Sequence, residues 1–308
     1  MNYIEIDQCR ISGSKNLVEV LDLGIQSLTG IFPSSKQAKV TEGPLKLVLC
    51  PDSQLLQLKH NYNLSELYGD NYGYRSGLNL SMVKHLNNKV NALTKIISIS
   101  KNDIVLDIGS NDGTLLKSYS VDECTRVGID PTGKKFAAYY DDIQLIPDFF
   151  SSKKFQNIFP NKKAKIITSI AMLYDLESPI TFIKDIAQIL DHDGIWHFEQ
   201  SYMPTMLRMN LYDTICHEHL EYYSLFVIKN TLEKCGLKII DVSLNSINGG
   251  SFAVTACHVD SKLHTNETII NWILDNENRL ELASTKPYLD FAGRVFEHRK
   301  NIKQLIND

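Results

Sequence analysis

The chain has 308 residues, of which 43% are hydrophobic and 22% charged, with a formal net charge of −4. That length exceeds one small domain and fits one α/β domain with additions at one or both ends. The charge balance offers no basic patch for nucleic acid or an anionic membrane surface. No apolar run approaches the roughly 20 residues of a membrane span. The mixed, acidic start MNYIEIDQCR lacks the basic head and apolar core of a signal peptide. Six cysteines, at 9, 50, 124, 216, 235 and 257, are scattered without tight pairs. A disulfide framework is not expected from them, and the cytoplasm is the expected compartment.

Residues 1 to about 85 read as irregular, with short β-like stretches at Leu45–Leu49 and Leu55–Leu58. Turn-rich pieces at Phe32–Ser35 and Gly69–Gly73 lie around them. Between Ser81 and Ile97, apolar residues recur at Met82, Leu86, Val90, Leu93 and Ile97, which predicts a helix. From about residue 103 the pattern alternates β and α. IVLDI, TRVGID, IQLIP, IITSIAM and GIWHFEQ are short, mostly apolar strands with amphipathic segments such as PITFIKDIAQIL among them. This alternation predicts an α/β, doubly wound sheet. The later strands LKIIDVSLN and FAVTACHV are expected to form an antiparallel hairpin around Asn248-Gly249-Gly250, and residues 265–308 are expected to be helical. The domain reading is 1–85, 86–262 and 263–308.

VLDIGSNDGTLL, Val105–Leu116, is the most informative segment. A buried strand ends in Asp107, and a glycine turn then opens a helix. Gly109 and Gly113 permit tight turning and a close backbone approach to a ligand. A dinucleotide loop needs G-x-G-x-x-G, and G-S-N-D-G fails that spacing. Asp112 would also repel a pyrophosphate. S-adenosylmethionine has no phosphate and carries a cationic ammonium and sulfonium, which suit Asp107. Asp130 closes the next strand, where a carboxylate reaches both hydroxyls of a ribose. The expected cofactor contacts are Asp107, Gly109, Asn111, Gly113 and Asp130, with Asp148 of Pro147-Asp148-Phe149 at the adenine edge. Each acid taken alone also reads as a strand-end cap. The order strand, acid, glycine turn, helix, strand, acid favours a class I S-adenosylmethionine-binding domain.

His217-Glu218-His219 follows a strand and a long loop, SYMPTMLRMNLYDTI. Loops at the C-terminal edge of such a sheet face the ligand cleft. His-x-His is a metal-ligand spacing, although no third ligand is evident. The same residues also read as a hydrogen-bonded structural loop, or as a base active near neutral pH. In an extended segment His217 and His219 point to the same side, so spacing alone does not separate them.

In order along the chain, VLDIGSNDGTLL, GIDPT, FEQSYMP, DTICHEHLEYYS and NGGSF resemble the sugar C-methyltransferases. The N-terminal pieces CRISGS, LDLG, PLKLVLC, LLQL and YGYRSGLN resemble the small domain that precedes the catalytic domain in that family. The resemblance implies a class I methyltransferase fold with a small N-terminal domain and a C-terminal helical segment. It implies S-adenosylmethionine as cofactor. The implied substrate is a nucleotide-linked 4-keto-6-deoxyhexose, methylated at a carbon beside the ketone, C3 by expectation, through an enolate. It assigns His219 as base and Glu218 as its orienting or charge-stabilising partner. Tyr74, or Tyr72, lines the sugar site.

The chain departs from the family at several places. The family's N-terminal domain holds zinc with two Cys-x-x-Cys pairs. Here they read Cys9-Arg10-Ile11-Ser12 and Cys50-Pro51-Asp52-Ser53, so only Cys9 and Cys50 remain and little or no zinc is expected. Cys216 replaces a family tyrosine before the His-Glu-His, with Tyr222 and Tyr223 as nearby substitutes. Asp175 stands where the family has a histidine, so that role does not carry over. The family also continues into a second Rossmann-like domain, expected to begin where this chain stops. An O- or N-methyltransferase and a non-catalytic cofactor-binding module are the competing functions, because fold does not fix function.

Overall fold

A computed structural model describes residues 3–29, 33, 35–68, 73–120, 122 and 124–307. Much of the two expected turns, at Phe32–Ser35 and Gly69–Gly73, and Tyr72 with them, lies outside the described residues. The main sheet has seven strands in the order β12-β13-β10-β9-β6-β7-β8. They are β6 (Ile104–Ile108), β7 (Thr125–Ile129), β8 (Gln144–Ile146), β9 (Ala164–Ile170), β10 (Leu190–Ser201), β12 (Leu237–Asn245) and β13 (Ser251–His258). Strands β6 to β10 run parallel, and β13 runs antiparallel to both β10 and β12. The expected hairpin is therefore present. Its turn uses left-handed backbone at Asn248 (φ 51°) and Gly249 (φ 80°), which short polar and glycine residues tolerate.

Helices cover both faces of this sheet. On one face α2 (Leu80–Ile96) presents Leu86, Val90 and Leu93 to Val105, Ile166 and Ile195. Asn79 caps that helix by accepting from Ser81 N. The short α3 (Gly133–Phe136) adds Phe136 to this layer. On the other face α4 (Ser152–Ile158), α5 (Pro179–Ile189), α7 (Leu225–Lys234) and α8 (Glu267–Arg279) pack around Trp196 and Phe198. Glu277 of α8 accepts from Leu225 N at 2.6 Å and Phe226 N at 2.9 Å, so a buried carboxylate caps the start of α7.

The N-terminal zone is more ordered than its sequence suggests. It contains β1 (Tyr3–Glu5), β2 (Val18–Ser27), β3 (Glu42–Cys50), β4 (Leu55–Leu58), β5 (His60–Tyr62) and α1 (Leu64–Leu67). β1 pairs with β5. β2, β3 and β4 form a sheet whose remaining edge strand is β11 (Glu221–Tyr222), contributed from far along the chain. The sheet's apolar face, with Val20, Leu47, Leu49 and Leu58, packs on α6 (Met203–Met209) and on Tyr288, Phe291 and Val295 of α9 (Lys286–Asn307). Most of the stretch expected to be helical is so, as α8 and α9, with a turn over 280–285 between them. Among the described residues no helix is long and apolar enough to cross a membrane.

Two facing turns hold the tip of the small sheet. Cys9 Sγ lies 3.2 Å from Ser53 Oγ, and Ser12 Oγ lies 3.5 Å from Cys50 Sγ. The four positions of a zinc knuckle thus converge, but two are hydroxyls. A structural zinc site closes with four Cys or His ligands, and a neutral serine is a poor substitute. Burial pushes the Cys9 thiol up, and the hydrogen bonds from Ser12 and Ser53 outweigh it and bring it below the ordinary thiol value. The donor set does not fit zinc. Beside this knot Arg10 is buried. It donates to Leu58 O at 2.7 Å and to Asn61 Oδ1, and its Nε sits 3.6 Å from the buried Glu221 carboxylate.

Two outcomes follow. Elemental analysis of purified protein should find far less than one zinc per chain, whereas Ser12→Cys with Ser53→Cys should take up close to one. Stoichiometric zinc in the unaltered protein would refute the hydroxyl argument. Glu221→Ala should destabilise the fold by about 3–5 kcal/mol in urea denaturation, because it strands the Arg10 guanidinium in the interior. A loss below 1 kcal/mol would show that the pair is not needed.

Candidate active site

The glycine loop is built by its backbone. Gly109 (φ 73°) and Gly113 (φ 72°) hold left-handed conformations, and Gly109 N donates to Ile129 O at 2.9 Å. Asp107, at the end of β6, is wholly buried and accepts from Thr168 Oγ1 at 2.6 Å. Burial pushes its carboxyl up to about 7, against the Thr168 hydrogen bond and with help from the charge on Asp130. Among the described residues it forms no ion pair. Asp130, just past β7, accepts from Asn111 N at 2.8 Å through one oxygen, and from Thr132 N at 2.6 Å through the other. Asp148 lies on an exposed turn, paired with Lys154 at 2.8 Å, which draws its carboxyl below the usual range.

The sequence reading missed Tyr140. Its hydroxyl donates to Asn111 O and meets Ser110 Oγ, both at 2.8 Å, so it anchors the loop from behind. A Cβ on Gly128 would come within 2.8 Å of the Tyr140 ring, which explains that glycine. The N-terminal segment clamps the same loop from the front. Asn111 Nδ2 donates to Tyr74 O at 3.1 Å, Ser76 N donates to Asn111 Oδ1 at 3.0 Å, and Gly77 N donates to Asp112 Oδ2 at 3.0 Å. Asn111 therefore spends its amide on this strap. The Tyr74 ring is about half exposed.

Glu199, near the end of β10, was also missed. It accepts from Lys89 at 2.7 Å and Asn245 at 2.7 Å, and His85 Nε2 lies 2.6 Å away. Burial raises this carboxyl, but His85 and Lys89 outweigh it and pull it down to about 2. The available signal was His85 and Lys89 one helical turn apart on α2. The cluster ties α2 to β10 and β12.

The His-Glu-His segment is a turn, not an extended strand, with His219 N bonded to Cys216 O at 3.2 Å. This separates the two histidines. His217 is fully buried against the small sheet. Its Nδ1 accepts from Thr29 N at 3.4 Å, its Nε2 faces Gly43 O at 3.3 Å, and Tyr62 meets its ring edge-on at 4.7 Å. With both ring nitrogens engaged it is a docking residue. His219 donates Nδ1–H to Thr214 O at 2.8 Å and packs on Tyr174, the rings tilted at 58° with centroids 4.2 Å apart. Its Nε2 has no partner among the described residues and carries the lone pair. Burial raises the Glu218 carboxyl, against the pull of His219. Tyr222 sits on β11 within the apolar core, its hydroxyl sealed from solvent, and Tyr223 is buried likewise. Neither is brought to open space beside His219. Burial raises the Cys216 thiol to about 11, so it is a neutral filler.

The turn after β9 joins the two halves of the site. A Cβ on Gly109 would lie 3.3 Å from Met172 Cγ, while the Tyr174 ring packs against His219 and its carbonyl accepts from Leu220 N at 2.7 Å. Glycine loop and histidine loop therefore flank one short segment, Ala171–Asp175.

Three family models match in sequence order. A zinc-binding domain matches residues 9–68, a methyltransferase domain residues 82–242, and a C-methyltransferase C-terminal domain residues 246–308. The last begins inside the chain, at the β12–β13 turn, and not beyond its end. The C-methyltransferase NovU of Streptomyces niveus is 26% identical over 306 residues, covering 98% of this chain and 72% of NovU. Among solved structures, the mitomycin 7-O-methyltransferase MmcR is 16% identical, with a TM-score of 0.44 over 58% of this chain and 55% of that one. N-methyltransferase NodS from Bradyrhizobium japonicum WM9, in complex with S-adenosyl-L-homocysteine, is 14% identical, with a TM-score of 0.42 over 59% of this chain and 89% of that one. The methyltransferase-domain match alone spans more than half of the chain, and with the C-methyltransferase match beside it the chain belongs to the S-adenosylmethionine-dependent C-methyltransferases.

Proposed function

We propose that this enzyme methylates the carbon beside the ketone, C3, of a nucleotide-linked 4-keto-6-deoxy sugar, with His219 as base. The observation that carries the reading is the state of His219. Thr214 O fixes its Nδ1–H, Nε2 is left as acceptor, and the ring lies one short segment from the glycine loop. A carbon beside a ketone is a weak acid, so C-methylation needs such a base. His219 takes the proton, and the C–H electron pair shifts toward the carbonyl oxygen to give an enolate. When bound, S-adenosylmethionine would supply its sulfonium methyl to the enolate carbon; the methyl carbon–sulfur bond would break with its electron pair staying on sulfur as a neutral thioether, and the ketone would re-form. In this reading Glu218, next to His219 in the turn, orients the imidazole or stabilises the cation formed in the step.

The cofactor-side residues fit the same reading. Asp107 is a buried carboxyl without a cation, placed where the cofactor's ammonium is expected. Asp130 keeps lone pairs for ribose hydroxyls beside Asn111 N. Gly109, Gly113 and Asn111 shape the loop, and Asp148 stands at the adenine side.

Mass spectrometry of products from a panel of nucleotide-linked 4-keto sugars tests the assignment, with solvent deuterium exchange at the ring C–H measured without methyl donor. Methyl transfer to oxygen or nitrogen without exchange would overturn it. His219→Ala should cost at least about 10²–10⁴ in rate and leave cofactor affinity nearly unchanged. His217→Ala should cost stability rather than turnover by the folded fraction. The reverse pattern would move the base to His217.

Asp107 makes cofactor affinity depend on pH. The free protein holds this carboxyl near 7, and a bound cation favours its ionised form. Affinity should be level above pH 7 and fall by up to about tenfold per unit below it. Calorimetry across pH 5.5–8.5 should show this fall, and Asp107→Asn should flatten it. An equally steep fall in the variant would place the titrating group elsewhere.

A further inference from the structure

We propose that Asp175 is the hydrogen-bond donor to the substrate oxygen that becomes the enolate, and that Tyr68 is its positioning residue. The inference rests on the reading of His219 as the base. Asp175 ends the turn after β9, and three backbone bonds hold that turn. Ala171 N donates to Glu199 O at 2.7 Å, Asp175 N donates to Met172 O at 3.1 Å, and Leu220 N donates to Tyr174 O at 2.7 Å. The turn is thus pinned to β10 on one side and to the histidine loop on the other.

The two oxygens of Asp175 differ. Oδ2 accepts from Tyr68 Oη at 2.8 Å. Oδ1 is sealed from water and has no partner among the described residues. The groups that face the carboxyl are Tyr68 just after α1, Cys216, Glu218 and His219 from the loop, and Glu221 and Tyr222 from β11. Glu221 is matched by Arg10, and His219 is the cation-capable group beside Asp175. Burial raises the Asp175 carboxyl well above its ordinary value; His219 and the Tyr68 hydrogen bond oppose this, while Cys216 and Glu218 add to it. Burial with one hydroxyl donor and no ion pair among the described residues thus favours the protonated form of the group. Because Tyr68 donates to Oδ2, the proton sits on Oδ1, the oxygen without a partner.

A buried O–H with nothing to donate to is costly, and a ligand oxygen relieves that cost. The reaction assigned to His219 develops negative charge on one oxygen, the former ketone. A neutral carboxylic acid kept in an apolar site and paired with a tyrosine is an effective donor to such an oxygen. The step is a hydrogen bond that strengthens as charge develops; the proton stays on Asp175 and returns no electrons. Glu218, by contrast, lies in the histidine turn itself and has no tyrosine partner.

The test uses the full chain with a keto sugar that the unaltered protein methylates. Asp175→Ala should lower kcat by about 10²–10³, the scale of one lost oxyanion donor, with cofactor affinity within twofold. Asp175→Asn should recover part of that loss, because an amide N–H can still donate. The unaltered enzyme should lose kcat at alkaline pH as Asp175 ionises, and Asp175→Asn should abolish that limb. Tyr68→Phe removes a bond that favours the carboxylate, so it should move the limb to higher pH. A purely structural residue would shift neither limb. If Asp175→Ala keeps kcat within threefold, or the alkaline limb persists unchanged in Asp175→Asn, the assignment is overturned while the role of His219 stands. A protein that neither methylates nor exchanges the ring C–H overturns both.

Discussion

Two residues of β11, Glu221 and Tyr222, pair with Gln57 and Leu56 of β4. On this short ladder depends the position of the histidine loop. His219 lies two residues before it and His217 four, so pairing sets where the turn between them opens. His217 extends the same docking, since it engages Thr29 just after β2 and Gly43 of β3. Arg10 completes it by meeting Glu221 in the interior. An edge strand lent to another sheet is held by backbone bonds and register, which a one-residue slip would reverse. The small N-terminal sheet therefore acts as a template for the loop, and its face against α6 and α9 adds the apolar area that keeps it in place.

The second constraint is electrostatic. The C-terminal edge of the large sheet collects Asp107, Asp130, Asp175 and Glu199, and each meets its burial differently. Glu199 is neutralised by His85 and Lys89 and stays ionised. Asp130 is satisfied by backbone and hydroxyl donors. Among the described residues Asp107 and Asp175 have one hydroxyl donor each and no salt-bridge partner, and burial raises their carboxyls. Buried polar groups left short of partners are where a ligand gains most. The two under-satisfied acids lie at the two ends of the segment between the glycine loop and His219. A cationic donor and a developing enolate would complete them in turn.

The large sheet was legible because its strands are short, apolar and separated by amphipathic helices, and because an acid-glycine turn announces its first crossover. The hairpin at Asn248-Gly249-Gly250 was legible from turn chemistry alone. In the N-terminal sheet β3 and β4 were legible as the apolar stretches Leu45–Leu49 and Leu55–Leu58, whereas β2 was not, for a physical reason. β2 reads VEVLDLGIQS, with only Val20 and Leu21 buried, since one face is solvated and two bulges break its register with β3. Its alternation is too weak to register without its partners. The identity of β11 was hidden because two residues cannot show a period. At the site, residue types were readable and roles were not. His217 and His219 were indistinguishable until the turn at Cys216–His219 separated them, and Tyr140 and Glu199 act through partners 29 and 46 positions away in sequence.

The knot at Cys9, Ser12, Cys50 and Ser53 shows how a domain keeps a shape when the cross-link that usually holds it is weakened. A metal would tie the two turns together by four strong bonds. Here two thiol–hydroxyl contacts replace them, each worth on the order of 1 kcal/mol net. That difference has to be met elsewhere in the same unit. Arg10 lies one residue from Cys9 and reaches Leu58 O and Asn61 Oδ1 in the next strands, as well as Glu221. It thereby joins the knot, β4, β5 and β11 with one side chain. A planar guanidinium with five donors suits this work, whereas a lysine would satisfy at most part of it. The same side chain that ties the small sheet together therefore also secures the strand that places His219. Stability of the N-terminal unit and geometry of the reacting site are in this way properties of one interaction.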